Sequence, residues 1–420
     1  MSLYESLPFS SPDHLARRAI PFSTGPAEVE ADPAERLSDA LADVFIVRKT
    51  ESAVRSRAGR RVHEPAIILS GQLIGTAEAI YPTIAERLRG LGYTAMLERY
   101  KGEDVVVAVP GIMLERTFNP PWWVHLVLLL VTIVSTVLAG AEFGGYLSPA
   151  IFNAINHGRW AFVGQALNAG IPFALTLLLI LGVHEMGHYV AARRHRVAVT
   201  LPFFIPLPLI SLLGTLGAVI FIKGTLNSRK ALFDVGLSGP LAGLVVALAA
   251  FVIGLKLPTF SHPQSGLQLF NAMFGGDGSF QGLGMPPLLD WIGHAVVGPN
   301  IYLPTFVIEH PVALAAWFGV LLTVLNLLPI GQLDGGHVTY TLFGRASLLI
   351  AVVMFGALIY IGLTTFPSFL FYALLALLTG LRHPPPANDI TPLDPVRRLL
   401  GIATIILFFL IATANPFMAG

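Results

Sequence analysis

His184 and His188 stand four residues apart in His184-Glu185-Met186-Gly187-His188. On an α-helix, positions i and i+4 share a face, so the two imidazoles can hold one metal ion, zinc by this spacing. Glu185 lies one position round, able to take a proton from water beside the metal. The chemistry this implies is hydrolysis. The pattern sits in an apolar stretch, 171–190, long enough to cross a bilayer. Ionisable side chains at that depth are costly, which makes them a functional feature with a metal as their natural partner rather than a polar pair between packed helices.

Catalytic zinc generally takes three protein ligands and leaves one position for water, so a third ligand must come from elsewhere. Asp334 is the best candidate. It lies in Asn326-Leu327-Leu328-Pro329-Ile330-Gly331-Gln332-Leu333-Asp334-Gly335-Gly336, where an apolar segment ends and a Gly-rich turn presents a carboxylate. Asp before Gly is also a common turn pair, but a carboxylate at membrane depth calls for a cation. His337 suits a helix start or a support for a ligand better than a ligand position.

The chain that must position these groups has 420 residues, of which 54% are hydrophobic and 12% charged, with mean hydropathy +0.70. That composition describes a polytopic α-helical membrane protein whose surroundings are the lipid bilayer. A net charge of +1, and no basic run with interleaved aromatics, sets nucleic acid aside. With no cysteine, a metal must be held by His, Asp and Glu. Residues 1–13 show no basic stretch followed by an apolar one, so no cleaved signal peptide is expected.

Residues 1–119 hold most of the charge and read as a small soluble α+β domain opening with a disordered segment. Within it, 44–47, 66–69, 94–100 and 104–109 have strand character and 77–91 reads as an amphipathic helix. Residues 120–420 read as the membrane domain, with apolar segments near 122–142, 171–192, 203–222, 231–256, 311–329, 346–364, 366–381 and 397–415. Arg193, Arg194 and Arg196 after the second segment, and Lys223, Arg229 and Lys230 after the third, both belong on the cytoplasmic side. The third segment must then be re-entrant, as Pro202, Pro206, Pro208, Gly214 and Gly217 also suggest. This yields about seven spans, with the N-terminus cytoplasmic and the C-terminus opposite. His184 lies ten residues before Arg194, or about 15 Å along a helix, in the cytoplasmic half of the bilayer.

HExxH followed by NxxPxxxxDG resembles the motif pair of the site-2 protease family of intramembrane zinc metalloproteases, and the likeness covers about 160–345. The resemblance implies that His184, His188 and Asp334 bind zinc, that Glu185 is the general base, and that Asn326 lies near the scissile bond. It also implies a bacterial inner membrane or plastid/thylakoid-type location and regulated release of a membrane-tethered factor. The loop at 258–310 is too short for the PDZ domain of many bacterial members, so the chain looks more like the plastid and cyanobacterial branch.

The expected reaction is cleavage of a peptide bond within or near a transmembrane helix of a membrane-protein substrate, releasing a cytoplasmic fragment. A helix in lipid has its carbonyls bonded internally and must unwind first. The stretch 211–218 can offer a strand edge, with Gly214 and Gly217 either admitting substrate backbone or permitting helix packing. Gly236, Gly239 and Gly243 fit close helix contact beside the metal. An ion or metal transporter can also use intramembrane His and Asp, and an inactive scaffold can retain them. Transport has no need of a base at Glu185, and a scaffold has no need of all four reactive groups.

Overall fold

The computed structural model describes residues 32–53, 66–111, 120–208, 211–224, 226–274, 280–365 and 367–419. The segment expected to be disordered, at the start of the chain within 1–31, lies outside them. Contacts divide the chain into two units.

In the first unit, alternating apolar residues build an antiparallel sheet of β1 (Phe45–Ala53), β2 (Ala66–Leu73), β3 (Tyr93–Tyr100) and β4 (Glu103–Pro110), in the order β1-β2-β4-β3. Lys101 and Gly102 join β3 to β4 with φ of 50° and 89°, the doubly left-handed turn that matches strand twist. Helices Pro33–Leu41 and Ala77–Gly90 pack on the sheet. Ile80, Ile84 and Leu88 repeat every four residues and meet Leu69, Leu97 and Val106 in one core.

The unit's first stretch ends at Thr117, and the unit also includes Lys223–Phe233 and Pro384–Arg397. β3 leaves an edge of unpaired backbone groups, and a later stretch fills it. Leu97 pairs in parallel with Asn388, giving N–H to Ala387 O at 2.8 Å and accepting from Asp389 N at 2.9 Å. Asn388 Nδ2 donates to Ala77 O at 3.2 Å and to Thr391 Oγ1 at 2.9 Å, and its Oδ1 accepts from Ile390 N and Thr391 N. The other added stretch joins through Asn388 N to Asn227 O at 3.1 Å and Arg229 Nε to Asp389 Oδ1 at 2.7 Å.

Among the described residues of the second unit, four helical stretches are long and apolar enough to cross a membrane: Trp122–Phe143, Trp160–Arg194, Arg229–Gly254, which starts in the first unit, and Asp334–Thr364. A bent pair, Leu303–Glu309 with Pro311–Asn326, turns through 116° and makes a fifth if counted as one span. The difference from seven arises at the end of the chain. Ser368–Thr379 has 12 residues and Pro395–Ile411 has 17. At 1.5 Å per residue they reach roughly 18 and 25 Å, short of a ~30 Å hydrocarbon core.

The segment 203–222 is not a helix. Its prolines and glycines give an antiparallel hairpin of β5 (Phe203–Pro206) and β6 (Thr215–Val219), with Phe203 opposite Val219 and Phe204 opposite Ala218. The aromatic core of the unit gathers Phe143, Phe173, Phe270, Trp317, Phe318 and Phe417.

Candidate metal centre

The helix Trp160–Arg194 carries His184, Glu185 and His188, all buried at 5–6% exposure. Arg193 and Arg194 occupy its last turn, where cations suit the helix dipole. It closes with Arg196 N donating to Arg193 O at 3.0 Å and Val197 N to Ala192 O at 2.9 Å. Arg196 takes the left-handed position, φ 57°, where glycine is usual.

Asp334 is the first residue of the helix Asp334–Phe343. The two glycines after it are steric requirements. A Cβ on Gly335 would lie 1.9 Å from Leu327 O, and one on Gly336 2.3 Å from Gly331 O. The chain therefore folds back on itself tightly enough to bring the carboxylate to the histidines.

His184 Nε2 lies 3.5 Å and His188 Nε2 3.3 Å from Asp334 Oδ2, and the two nitrogens are 3.0 Å apart. Bonds of about 2.0–2.1 Å in a tetrahedron separate neighbouring ligand atoms by roughly 3.3 Å, so this triangle fits three ligand positions of a zinc ion. The two-nitrogen, one-oxygen donor set agrees. Among the described residues this is the one His/Cys/Asp/Glu group so arranged. His188 Nδ1 donates to Val235 O at 2.7 Å, which fixes the tautomer and leaves an Nε2 lone pair facing the cluster.

The helix Arg229–Gly254 presses on the site through glycines. A Cβ on Gly239 would fall 2.1 Å from His188 Nε2, one on Gly243 3.0 Å from His184 Cβ, and one on Gly236 2.5 Å from His337 Cβ. These glycines serve close helix contact and not a binding loop. Ile220, just past β6, lies beside the Glu185 carboxylate. Asn326, the last residue of Pro311–Asn326, brings its Nδ2 to 3.3 Å from His184 Nε2.

Gly214 and Gly217 part company. Gly214 has φ +72° and faces the helix Trp122–Phe143, where a Cβ would be 2.3 Å from Ser135 O; Ser135 Oγ donates to its carbonyl. Gly217, φ +104°, has nothing within 4 Å of where a Cβ would stand. His337 stays outside the ligand triangle, with Nδ1 2.5 Å from His383 Nε2, and the His383 ring stacks on Tyr340 at 4.7 Å. Two of these partners escaped sequence reasoning. Val235 contributes a backbone oxygen, to which sequence is blind, and His383 is 46 residues from His337 with no motif joining them.

The family model for peptidase family M50 matches residues 172–366, a range that contains every group of the triangle. The chain is similar to the probable zinc metalloprotease EGY2, chloroplastic, of Arabidopsis thaliana, with 30% identity over 84% of this chain and 61% of that protein. It is also similar to the probable zinc metalloproteases EGY1, chloroplastic, of Arabidopsis thaliana, at 32% over 67% of this chain and 51% of the relative, and of Oryza sativa subsp. japonica, at 31% over 83% and 62%. The chain thus spans 51–62% of the length of these relatives. Residues 172–366 thus form a peptidase family M50 domain, and the chain shares about three positions in ten with these plastid proteins along most of its length.

Proposed function

We propose that this protein is an intramembrane zinc metalloprotease that hydrolyses a peptide bond within or near a transmembrane helix of a membrane-protein substrate. The observation that carries the reading is the buried His184, His188 and Asp334 triangle with Glu185 one position round on the same apolar helix. The relatives' names support the reaction class and a plastid location, and the apolar helices support a membrane one.

His184, His188 and Asp334 would hold the zinc, which would supply a Lewis acid for acidifying water and polarising the scissile carbonyl. Glu185 takes a proton from the attacking water and delivers it to the leaving amine. Asn326, beside His184, donates to the oxyanion that develops on the carbonyl or holds the neighbouring substrate backbone. Unwound substrate needs new backbone partners, and β6 with the open face at Gly217 offers an edge for them. In the arrangement of about seven spans, the basic helix ends and the N-terminal unit share the cytoplasmic or stromal side, where the released fragment departs.

The test is zinc per chain in detergent for wild type, His184→Ala, Asp334→Ala and Glu185→Ala, followed by cleavage of single-span reporter proteins. We expect near-stoichiometric zinc in wild type and Glu185→Ala, loss in the other two, and cleavage by wild type alone. Little zinc in well-folded wild type, or binding indifferent to His184 and Asp334, would overturn the assignment.

A further inference from the structure

The helices Trp160–Arg194 and Arg229–Gly254 pass each other in opposite directions, and their contacts form a ladder. Its rungs are His184 against Gly243, His188 against Gly239 and Val235, and His195 against Asp234. The first two are the packing just described. In the third, His195 Nε2 donates to Asp234 Oδ2 at 2.7 Å, and both side chains are about a quarter exposed.

Glycine packing sets how closely two helices approach but does little to fix how far one slides or turns against the other. A 2.7 Å hydrogen bond to a carboxylate is directional and does fix it. His195 caps the helix two turns beyond His188, on the same face, and the left-handed Arg196 closes that helix end. Asp234 is the residue immediately before Val235. The Val235 carbonyl also accepts from Ser238 Oγ at 3.2 Å, so it meets the His188 imidazole only over a narrow range of helix rotation.

We propose that His195 and Asp234 are positioning residues of the metal centre, holding the Val235 carbonyl under His188 Nδ1 so that His188 Nε2 faces His184 and Asp334. This rests on the zinc-site reading above. Neither residue touches the ligand triangle, and neither belongs to either motif. The pair acts as an outer support of a metal-bound imidazole, a kind of contact whose loss typically lowers metal affinity about 10–100-fold.

The experiment uses the full chain in detergent and needs no substrate. Zinc affinity is measured by chelator competition, and the visible spectrum of the cobalt-substituted protein reports ligand geometry. The set is wild type, Asp234→Asn, His195→Ala, the exchange carrying both Asp234→His and His195→Asp, and His188→Ala. We expect the two support variants to bind zinc about 10–100-fold more weakly, with an altered cobalt spectrum, and the exchange to regain much of both. His188→Ala should lose high-affinity binding. If wild type binds tightly and His188→Ala does not, yet Asp234→Asn and His195→Ala match wild type in affinity and spectrum, positioning is overturned while the zinc site stands. An exchange variant that melts like wild type but stays as weak as the single variants also overturns it. If wild type and His188→Ala bind alike, the zinc reading fails instead.

Discussion

Gly239→Ala adds one methyl group where the helix Arg229–Gly254 presses most tightly on a ligand side chain. The new Cβ would stand 2.1 Å from His188 Nε2, 2.4 Å from Cδ2 and 2.5 Å from Cε1. Ordinary contact begins at roughly 3.5 Å, so the ring must retreat by about 1.4 Å or the helices must part by as much. The ring has little freedom to do so, because Nδ1 is held by Val235 O at 2.7 Å. Metal–ligand distances tolerate about 0.2 Å, so the movement removes His188 from the triangle. We expect zinc affinity to fall at least about 100-fold, or about 2.8 kcal/mol. Two neighbours calibrate the result. Gly243→Ala, whose Cβ meets His184 Cβ at 3.0 Å, should cost only a few-fold. Gly217→Ala opens onto free space and should leave affinity intact, lowering only the melting temperature through its φ of +104°. The assay is competition with a chromophoric chelator on detergent-purified protein. Wild-type affinity in Gly239→Ala, or an equal loss in Gly217→Ala, would refute the reasoning.

Asn326→Ala should slow cleavage of an identified substrate about 100-fold or more while zinc content stays stoichiometric, as expected for a lost oxyanion donor; an unchanged rate removes both roles given to that side chain. Asn388→Ala takes four hydrogen bonds from a side chain 2% exposed and should destabilise the first unit by about 2–4 kcal/mol. Hydrogen exchange at the Leu97 amide, which that stretch protects, reads the effect, and unchanged protection contradicts it. Burial pushes the Tyr81 phenol up to about 12 from an ordinary 10.0, its hydroxyl donating to Ala95 O at 3.2 Å. The folded form holds that proton longer, so the contribution is intact below about pH 10 and is lost as pH rises toward 12, about 2–3 kcal/mol in all. Tyr81→Phe should flatten this alkaline decline in denaturation of the first unit, and an identical pH dependence would rule the residue out.

Most of the metal centre is legible because its chemistry is local in sequence. A helix turn brings His184, Glu185 and His188 together without help, and Asp334 is marked by glycines that a tight backbone return demands. Glycines 236, 239 and 243 were readable as packing residues, since their spacing keeps them on one side of a helix. What lies hidden is what only distance in the chain creates. The carbonyl of Val235 has no side-chain signature, and His195 and Asp234 gain meaning only when two helices align. The limits of the first unit were hidden for the same reason. Its added strand follows Pro384-Pro385-Pro386, whose residues lack strand propensity, and it is specified by the open edge of β3. Hydropathy likewise marked apolar segments but not how much of each is helical, which is why Ser368–Thr379 and Pro395–Ile411 came out short.

The pairing of Leu97 with Asn388 constrains the path of the chain by parity. Backbone groups that share a hydrogen bond outside the membrane lie on one side of it, and the stretches 223–233 and 384–397 both join the β3 unit. With that unit outside a bilayer, the chain would cross an even number of times between Gly111 and Lys223, and again between Phe233 and Pro384. Trp122–Phe143 and Trp160–Arg194, both long and apolar enough to cross, would satisfy the first interval. In the second, Arg229–Gly254, the bent pair and Asp334–Thr364 make three if the bent pair crosses. If the bent pair is re-entrant, Arg229–Gly254 and Asp334–Thr364 alone return the chain to the side of the β3 unit; if it crosses, the return needs one more crossing, for which Ser368–Thr379, at 12 residues, is the remaining apolar helix before Pro384.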